Sequence, residues 1–259
     1  MAIPIKSPRD LEAMRRAGEL LRTIVDRAVA GVGPGATTAD LADRIESDMR
    51  GAGAEPVMRT AGFPAAASIC LNEEASHAIP GPRRVHAGDL VTIDAALRFD
   101  GWCTDYARAM GVPPVSPATA ALLSGARAAT AAGIAAIQPG RPWSEVAAAA
   151  RSAAASFGLH ILAPLSGHGI GRDLHEPPAA GFDGGFGGDS SGHGPPGCKD
   201  FVLRAGMAIT IEPVVVRDHA AVQVLDDAWT IVTANRTWAA REERTVGVTP
   251  TGAVDLTGP

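Results

Sequence analysis

Residues 90–111, LVTIDAALRFDGWCTDYARAMG, read as two strands joined by a two-residue turn. Asp100-Gly101 is a dipeptide that accepts the positive φ angles of a tight hairpin, with β-formers on either side. Strands are therefore expected over 90–98 and 102–111. In that register position 105 pairs with 96 and lies diagonal to 94, so Asp94 and Asp105 point to one face. Their Cβ atoms would then stand about 7–8 Å apart or somewhat less. Two carboxylates at that spacing repel unless a cation lies between them. The plain alternative is a half-exposed hairpin with two solvated aspartates. Asp94 closes the apolar alternation of Val91 and Ile93, which argues against it.

Three further acidic or imidazole groups share this character. His168 sits in Ser166-Gly-His-Gly-Ile-Gly-Arg172, where flanking glycines allow close backbone approach. Its plain alternative is a histidine in a glycine loop. Glu212 lies in the apolar run GMAITIEPVVV, and Pro213 holds it extended and marks an edge or bulge. Glu242 and Glu243 are neighbours, so in a strand they face opposite sides, one available as a ligand and the other solvated. Carboxylates are rarely buried unless paired or bound to a cation. Asp94, Asp105, His168, Glu212 and Glu243 thus make sense together as the ligands of a two-metal site.

The 259 residues, 46% hydrophobic and 20% charged, suit a soluble globular protein with a large core. Net charge is −5, and the densest basic groups are Arg15-Arg16 and Arg83-Arg84, so no Lys/Arg stripe for nucleic acid is present. No apolar run approaches a membrane span, and the N-terminus lacks a signal-peptide core. The three cysteines, Cys70, Cys103 and Cys198, show no CxxC spacing and read as reduced thiols. A cytoplasmic location is expected.

Helix signals come in two pairs. Ser7, Pro8 and Asp10 open a helix whose stripe of Leu11, Met14, Leu21, Ile24 and Val25 runs to about Ala30. A second follows Thr37-Thr38, carries Leu41, Ile45 and Met49, and ends near Gly51–Gly53. Residues 117–136 form the third, and Ser144 is expected to cap a fourth running to Gly158. Pro34-Gly35, Asp40-Leu41-Ala42 and Gly53 precede Pro139-Gly140, Glu145-Val146-Ala147 and Gly158 by 105 residues. This spacing predicts two similar halves, about 8–112 and 117–250, within one domain over 1–259. Strands are expected at 66–71, 90–98, 102–111, 159–164, 207–216, 221–224, 228–232 and 245–249. The glycine-rich segment 181–197 reads as a surface loop, either a lid or an inert insertion.

Ile93-Asp-Ala with Asp105 eleven residues on, SGHGIGRDLHEPP, GMAITIEPVV and the final Glu243-x-Thr245 resemble the type I methionine aminopeptidases. IKSPRDLEAMRRAG and NEEASHAIP extend the resemblance over nearly the whole chain. It implies the α+β pita-bread fold, with two pseudo-symmetric halves around a curved antiparallel sheet. It also implies a metallopeptidase that removes initiator methionine with two divalent ions, Mn²⁺, Fe²⁺, Co²⁺ or Zn²⁺. In that scheme Asp94 chelates one ion, Asp105 and Glu243 bridge both, and His168 and Glu212 complete the other. Glu212 takes the proton of the attacking water, the substrate's α-amino group binds on the Asp94 side, and His77 and His175 contact the substrate. Phe63, Ser68, Leu174 and Trp229 fall at positions of the methionine pocket. The implied partners are an N-terminal peptide and, transiently, the ribosome, the chain itself being a monomer.

The sequence departs from the family around Glu243. A glutamine, an aromatic residue and a histidine are usual where this chain has Arg241, Glu242 and Arg244. Leu174 replaces a common phenylalanine, and Ser68 stands where cysteine is frequent. Two other readings stay open: a pita-bread hydrolase of Xaa-Pro type, and a non-catalytic binding protein on the same fold.

Overall fold

The backbone of β3 (Leu90–Phe99) and β4 (Trp102–Gly111) turns through Asp100 (φ 49°) and Gly101 (φ 76°), the tight hairpin that Asp-Gly predicts. Ala96 pairs with Asp105 and Asp94 with Ala107. Alternation divides the strand. Val91, Ile93, Ala95 and Leu97 join a core with α1 (Pro8–Ala30) and α2 (Thr38–Gly51), leaving Thr92, Asp94 and Ala96 on the opposite face. Each large side chain buried there contributes roughly 1.5–3 kcal/mol. The helices begin as their caps predict: Ser7 with Asp10, and Thr37 with Asp40, form reciprocal capping boxes.

The computed structural model describes residues 2–182 and 199–258. Between α2 and the hairpin lie α3 (Val57–Thr60), β1 (Ala67–Leu71) and β2 (Glu74–Ser76). After the hairpin come α4 (Pro117–Ala136), α5 (Trp143–Ser156), β5 (His160–Ile161), β6 (Ser166–Gly169) and β7 (Glu176–Gly181). The remainder is β8 (Ala208–Ile211), β9 (Val214–Val216), β10 (Val222–Val224) and β11 (Ile231–Thr233), then β12 (Ala239–Arg241), β13 (Arg244–Thr249) and β14 (Gly252–Asp255). Among the described residues the strand pairs are antiparallel and form sheets ordered β1-β3-β4, β10-β11-β2, β12-β9-β5 and β14-β13-β8-β6-β7. α2 and α5 are 14 residues each and start 105 residues apart, at Thr38 and Trp143.

Several expectations are corrected. α5 begins at Trp143 after Pro142, and Ser144 lies inside it rather than capping it. The Ser144 N–H and hydroxyl both donate to Asp200, at 3.0 and 2.7 Å. The strand expected over 207–216 breaks at Glu212-Pro213, and β8 and β9 belong to different sheets. Strands β6 and β7 form from SGHG and EPPAAG, which carry little strand propensity. Most of segment 181–197, together with Cys198, lies outside the described residues. Gly181, however, closes β7, and Phe182 is buried against Trp143 at 5.3 Å between ring centroids. Cys70 and Cys103 are free and buried. Among the described residues no helix is long and apolar enough to cross a membrane.

Candidate metal centre

The outer edge of β4 assembles the site. In an antiparallel hairpin alternate residues turn their N–H and C=O away from the partner strand. On β4 these are taken up by distant segments. Cys103 N–H donates to Gly171 O (2.7 Å), and Glu243 N–H donates to Ala107 O (2.9 Å). Between them Thr245 Oγ1 accepts from Asp105 N–H (2.9 Å) and donates to Asp105 O (2.8 Å). The strand that carries Asp105 therefore also positions Glu243.

His168 is placed by a second threonine. Thr210 Oγ1 accepts from His168 N–H at 2.9 Å and donates to Glu212 Oε1 at 2.8 Å. The strands can come this close because a Cβ at Gly167 would meet Thr210 O at 2.3 Å. His168 Nδ1 lies 2.9 Å from Gly169 O. A proton on Nδ1 satisfies that carbonyl and turns the Nε2 lone pair toward Asp105 Oδ2 (3.7 Å) and Glu212 Oε1 (3.8 Å). Thr210 and Arg241 were not singled out as site residues by sequence reasoning. Alternation was the available signal for Arg241, which stands two positions from Glu243.

The geometry brings Asp94, Asp105, His168, Glu212 and Glu243 around one cavity of about 280 Å³. Burial and the nearby Asp94 push the Asp105 carboxyl up to about 7. Burial, then Asp105 and Glu212, hold Glu243 well above the ordinary carboxylate range. Burial opposes a charged His168, but the adjacent Asp105 and Glu212 carboxylates outweigh it and raise its pKa. His77 is lowered by burial and by the Arg241 charge. His175 falls to about 4 through burial and the neighbouring histidines. Such crowding calls for a cation. Asp105, His168 and Glu243 each offer a ligand atom within 4.8 Å of the others, and Glu243 Oε1 is buried with no hydrogen-bond partner. Two carboxylates and an imidazole suit a divalent first-row ion, so these residues fit one.

Arg241 supplies positive charge at the other end. Its side chain is 4% exposed, and its guanidinium pairs with the Asp94 carboxylate and, at 3.0 Å, with Glu212 Oε2. Glu242 departs from the solvated position expected for it. It is buried, bonded to Arg127 and Arg244 at 3.3 Å each, on the side opposite the cavity.

One wall of the cavity is apolar: Met58, Phe63, Leu174 and Trp229. Phe63 and Trp229 meet edge to face at 5.3 Å, and His77 lies within 6.5 Å of both ring centroids. His77 holds a φ of 53°, uncommon for a residue with a side chain. His175 packs edge-on against His168 at 4.3 Å. Ser68 is the exception among the expected pocket residues. It is fully buried, its Oγ lies 3.5 Å from Cys70 Sγ, and it does not line the cavity.

A model of metallopeptidase family M24 matches residues 12–250. The chain is similar to methionine aminopeptidase 1 of Mycobacterium tuberculosis, 36% identical over 98% of this chain and 95% of the relative. The solved methionine aminopeptidase of Rickettsia prowazekii superposes with a TM-score of 0.90 at 28% identity, covering 99% of this chain and 100% of that one. The Pyrococcus furiosus prolidase, at 22% identity and a TM-score of 0.72, covers 98% of this chain and 65% of its own and shares the fold. The architecture is the pita-bread fold, and the chain belongs to metallopeptidase family M24, among the methionine aminopeptidases.

Proposed function

We propose that this protein is a divalent-metal-dependent aminopeptidase that removes N-terminal methionine from peptides and newly made chains. One observation carries the reading: four carboxylates and His168 converge at the polar end of a cavity whose other wall is apolar and aromatic. Asp105, His168 and Glu243 are the proposed ligands of one ion, and the resemblance adds Asp94 and Glu212 to the set. A bound divalent cation supplies an acidified water and a Lewis acid for the scissile carbonyl. The resemblance implies two such ions, and the place of the second depends on Arg241.

The chain's own residues would act as follows. Glu212 accepts the proton of the attacking water, with its Oε1 held in place by the Thr210 hydroxyl. His77 and His175, both lowered in pKa, are neutral at pH 7 and offer hydrogen bonds to the substrate without adding charge. Phe63, Leu174 and Trp229 receive the methionine side chain, whose polarizable sulfur packs well on aromatic edges. Initiator methionine is exposed as a chain leaves the ribosome, so this reading places the protein in the cytoplasm with transient ribosome contact.

The test is turnover of a Met-Ala-Ser peptide and of an Xaa-Pro dipeptide with Mn²⁺ or Co²⁺. Methionine release that disappears in Asp105→Asn is expected. Absence of turnover with every metal, or a clear preference for the Xaa-Pro substrate, refutes the proposal.

A further inference from the structure

We infer that Arg241 is a resident cation standing in for one of the two metal ions, so that this chain binds a single divalent ion beside Asp105, His168 and Glu243. The inference rests on the metallopeptidase reading of the same site.

The guanidinium occupies the Asp94 end of the cavity. One Nη contacts the Asp94 carboxylate, and the other donates to Glu212 Oε2 at 3.0 Å and to Ser76 Oγ at 3.4 Å. Its ion pairs among the described residues are with these two carboxylates alone. A planar fork of donors between two carboxylates is arginine's preferred role, and its charge is permanent. What remains open is one ligand cluster, not two. Asp105, His168 and Glu243 lie within 4.8 Å of one another, Asp94 is not part of that group, and Glu243 Oε1 alone among the four carboxylates' buried oxygens has no partner.

Charge points the same way. The four carboxylates carry four negative charges when ionised; one dication and the guanidinium return three of them. A second dication at Asp94 would leave the centre positive and set two cations against each other across a buried cavity. The guanidinium cannot simply withdraw, because its side chain is 4% exposed and leaving would strand a buried charge without a partner.

The experiment is Mn²⁺ loading of the full chain and of Arg241→Gln, read by metal analysis after desalting and by electron paramagnetic resonance. About one ion per chain with an isolated-ion spectrum is expected for the wild type, and about two with an exchange-coupled spectrum for the variant. Two coupled ions in the wild type overturn the inference and leave the metallopeptidase reading intact. A variant that still binds one ion also overturns it. No bound metal in either protein removes both readings. If Arg241→Gln fails to fold, the wild-type count and spectrum decide by themselves.

Discussion

Thr245→Val tests whether a single hydroxyl holds the two halves of the site together. Thr245 is fully buried, and its Oγ1 bonds both the N–H and the C=O of Asp105, which β3 leaves unpaired at this register. Valine matches threonine in shape but offers neither bond. Two buried backbone groups then lose their partner, at about 1–3 kcal/mol each, for a total of about 2–6 kcal/mol. Thr245→Ser keeps the hydroxyl and loses one methyl group, a cost of about 1 kcal/mol. Urea unfolding with a chelator present measures both, since bound metal would add stability of its own. Calorimetric titration with Mn²⁺ gives the second readout, with affinity falling about 10–100-fold in the valine variant because Asp105 is no longer held in place. A valine variant within about 0.5 kcal/mol of wild type, the range of an ordinary surface change, refutes the argument.

Three other outcomes follow from the same geometry. With chelator present, Asp105 carries a folded-state pKa raised to about 7, so the fold favours its protonated form. That contribution is present below the ordinary carboxylate range and is lost as pH rises to about 7. His175, lowered to about 4, acts in the opposite sense over an overlapping range, so the comparison must be with Asp105→Asn. The variant should gain stability relative to wild type between pH 5 and pH 8 by urea unfolding; a constant difference sinks the assignment. Gly167→Ala places a Cβ 2.3 Å from Thr210 O, and should cost about 1–3 kcal/mol and weaken metal binding. Unchanged melting and unchanged metal affinity would show that β6 has room to shift. Trp229→Ala removes the aromatic partner of Phe63 and should lower kcat/KM for a Met-Ala-Ser peptide by about tenfold or more; equal loss on a Gly-Ala-Ser peptide would argue that the pocket does not read the side chain.

The parts legible in the sequence were those set by neighbours along the chain. Asp-Gly at 100–101 gives the hairpin, its register, and the shared face of Asp94 and Asp105. Ser7 with Asp10, and Thr37 with Asp40, start α1 and α2 through bonds spanning three residues. What escaped reading depends on partners far away in sequence. β6 and β7 exist because the glycines of SGHG admit neighbouring backbone, not because those residues prefer extended chain. Ser144 resembles a cap, yet Asp200 determines its role from 56 residues away. Glu242 looked like the solvated member of its pair until α4 supplied Arg127. Arg241 stood out as a departure from the family, but its contact with Asp94 spans 147 residues and leaves no local trace.

Each proposed ligand from the second half of the chain lies where strand pairing is interrupted. His168 is at the register shift of β6 against β7, Glu212 is between β8 and β9, and Glu243 is between β12 and β13. An uninterrupted strand must send alternate side chains to opposite faces, so it can aim a charge into a cavity only by committing its neighbours as well. A break frees one residue from that rule, and the unpaired backbone it leaves needs an anchor. At His168 the Thr210 hydroxyl supplies it by accepting the N–H, and at Glu243 the N–H donates to Ala107 O of β4. Proline at 213 marks one break in the sequence, but the other two have no such marker. Arg241 ends β12 just before the third break, which is why its side chain shares the cavity with Glu243 while Glu242 turns away. A glutamine at 241 would carry no charge to the Asp94 end. An arginine does, and by the inference above the number of metal ions at this centre turns on that one side chain.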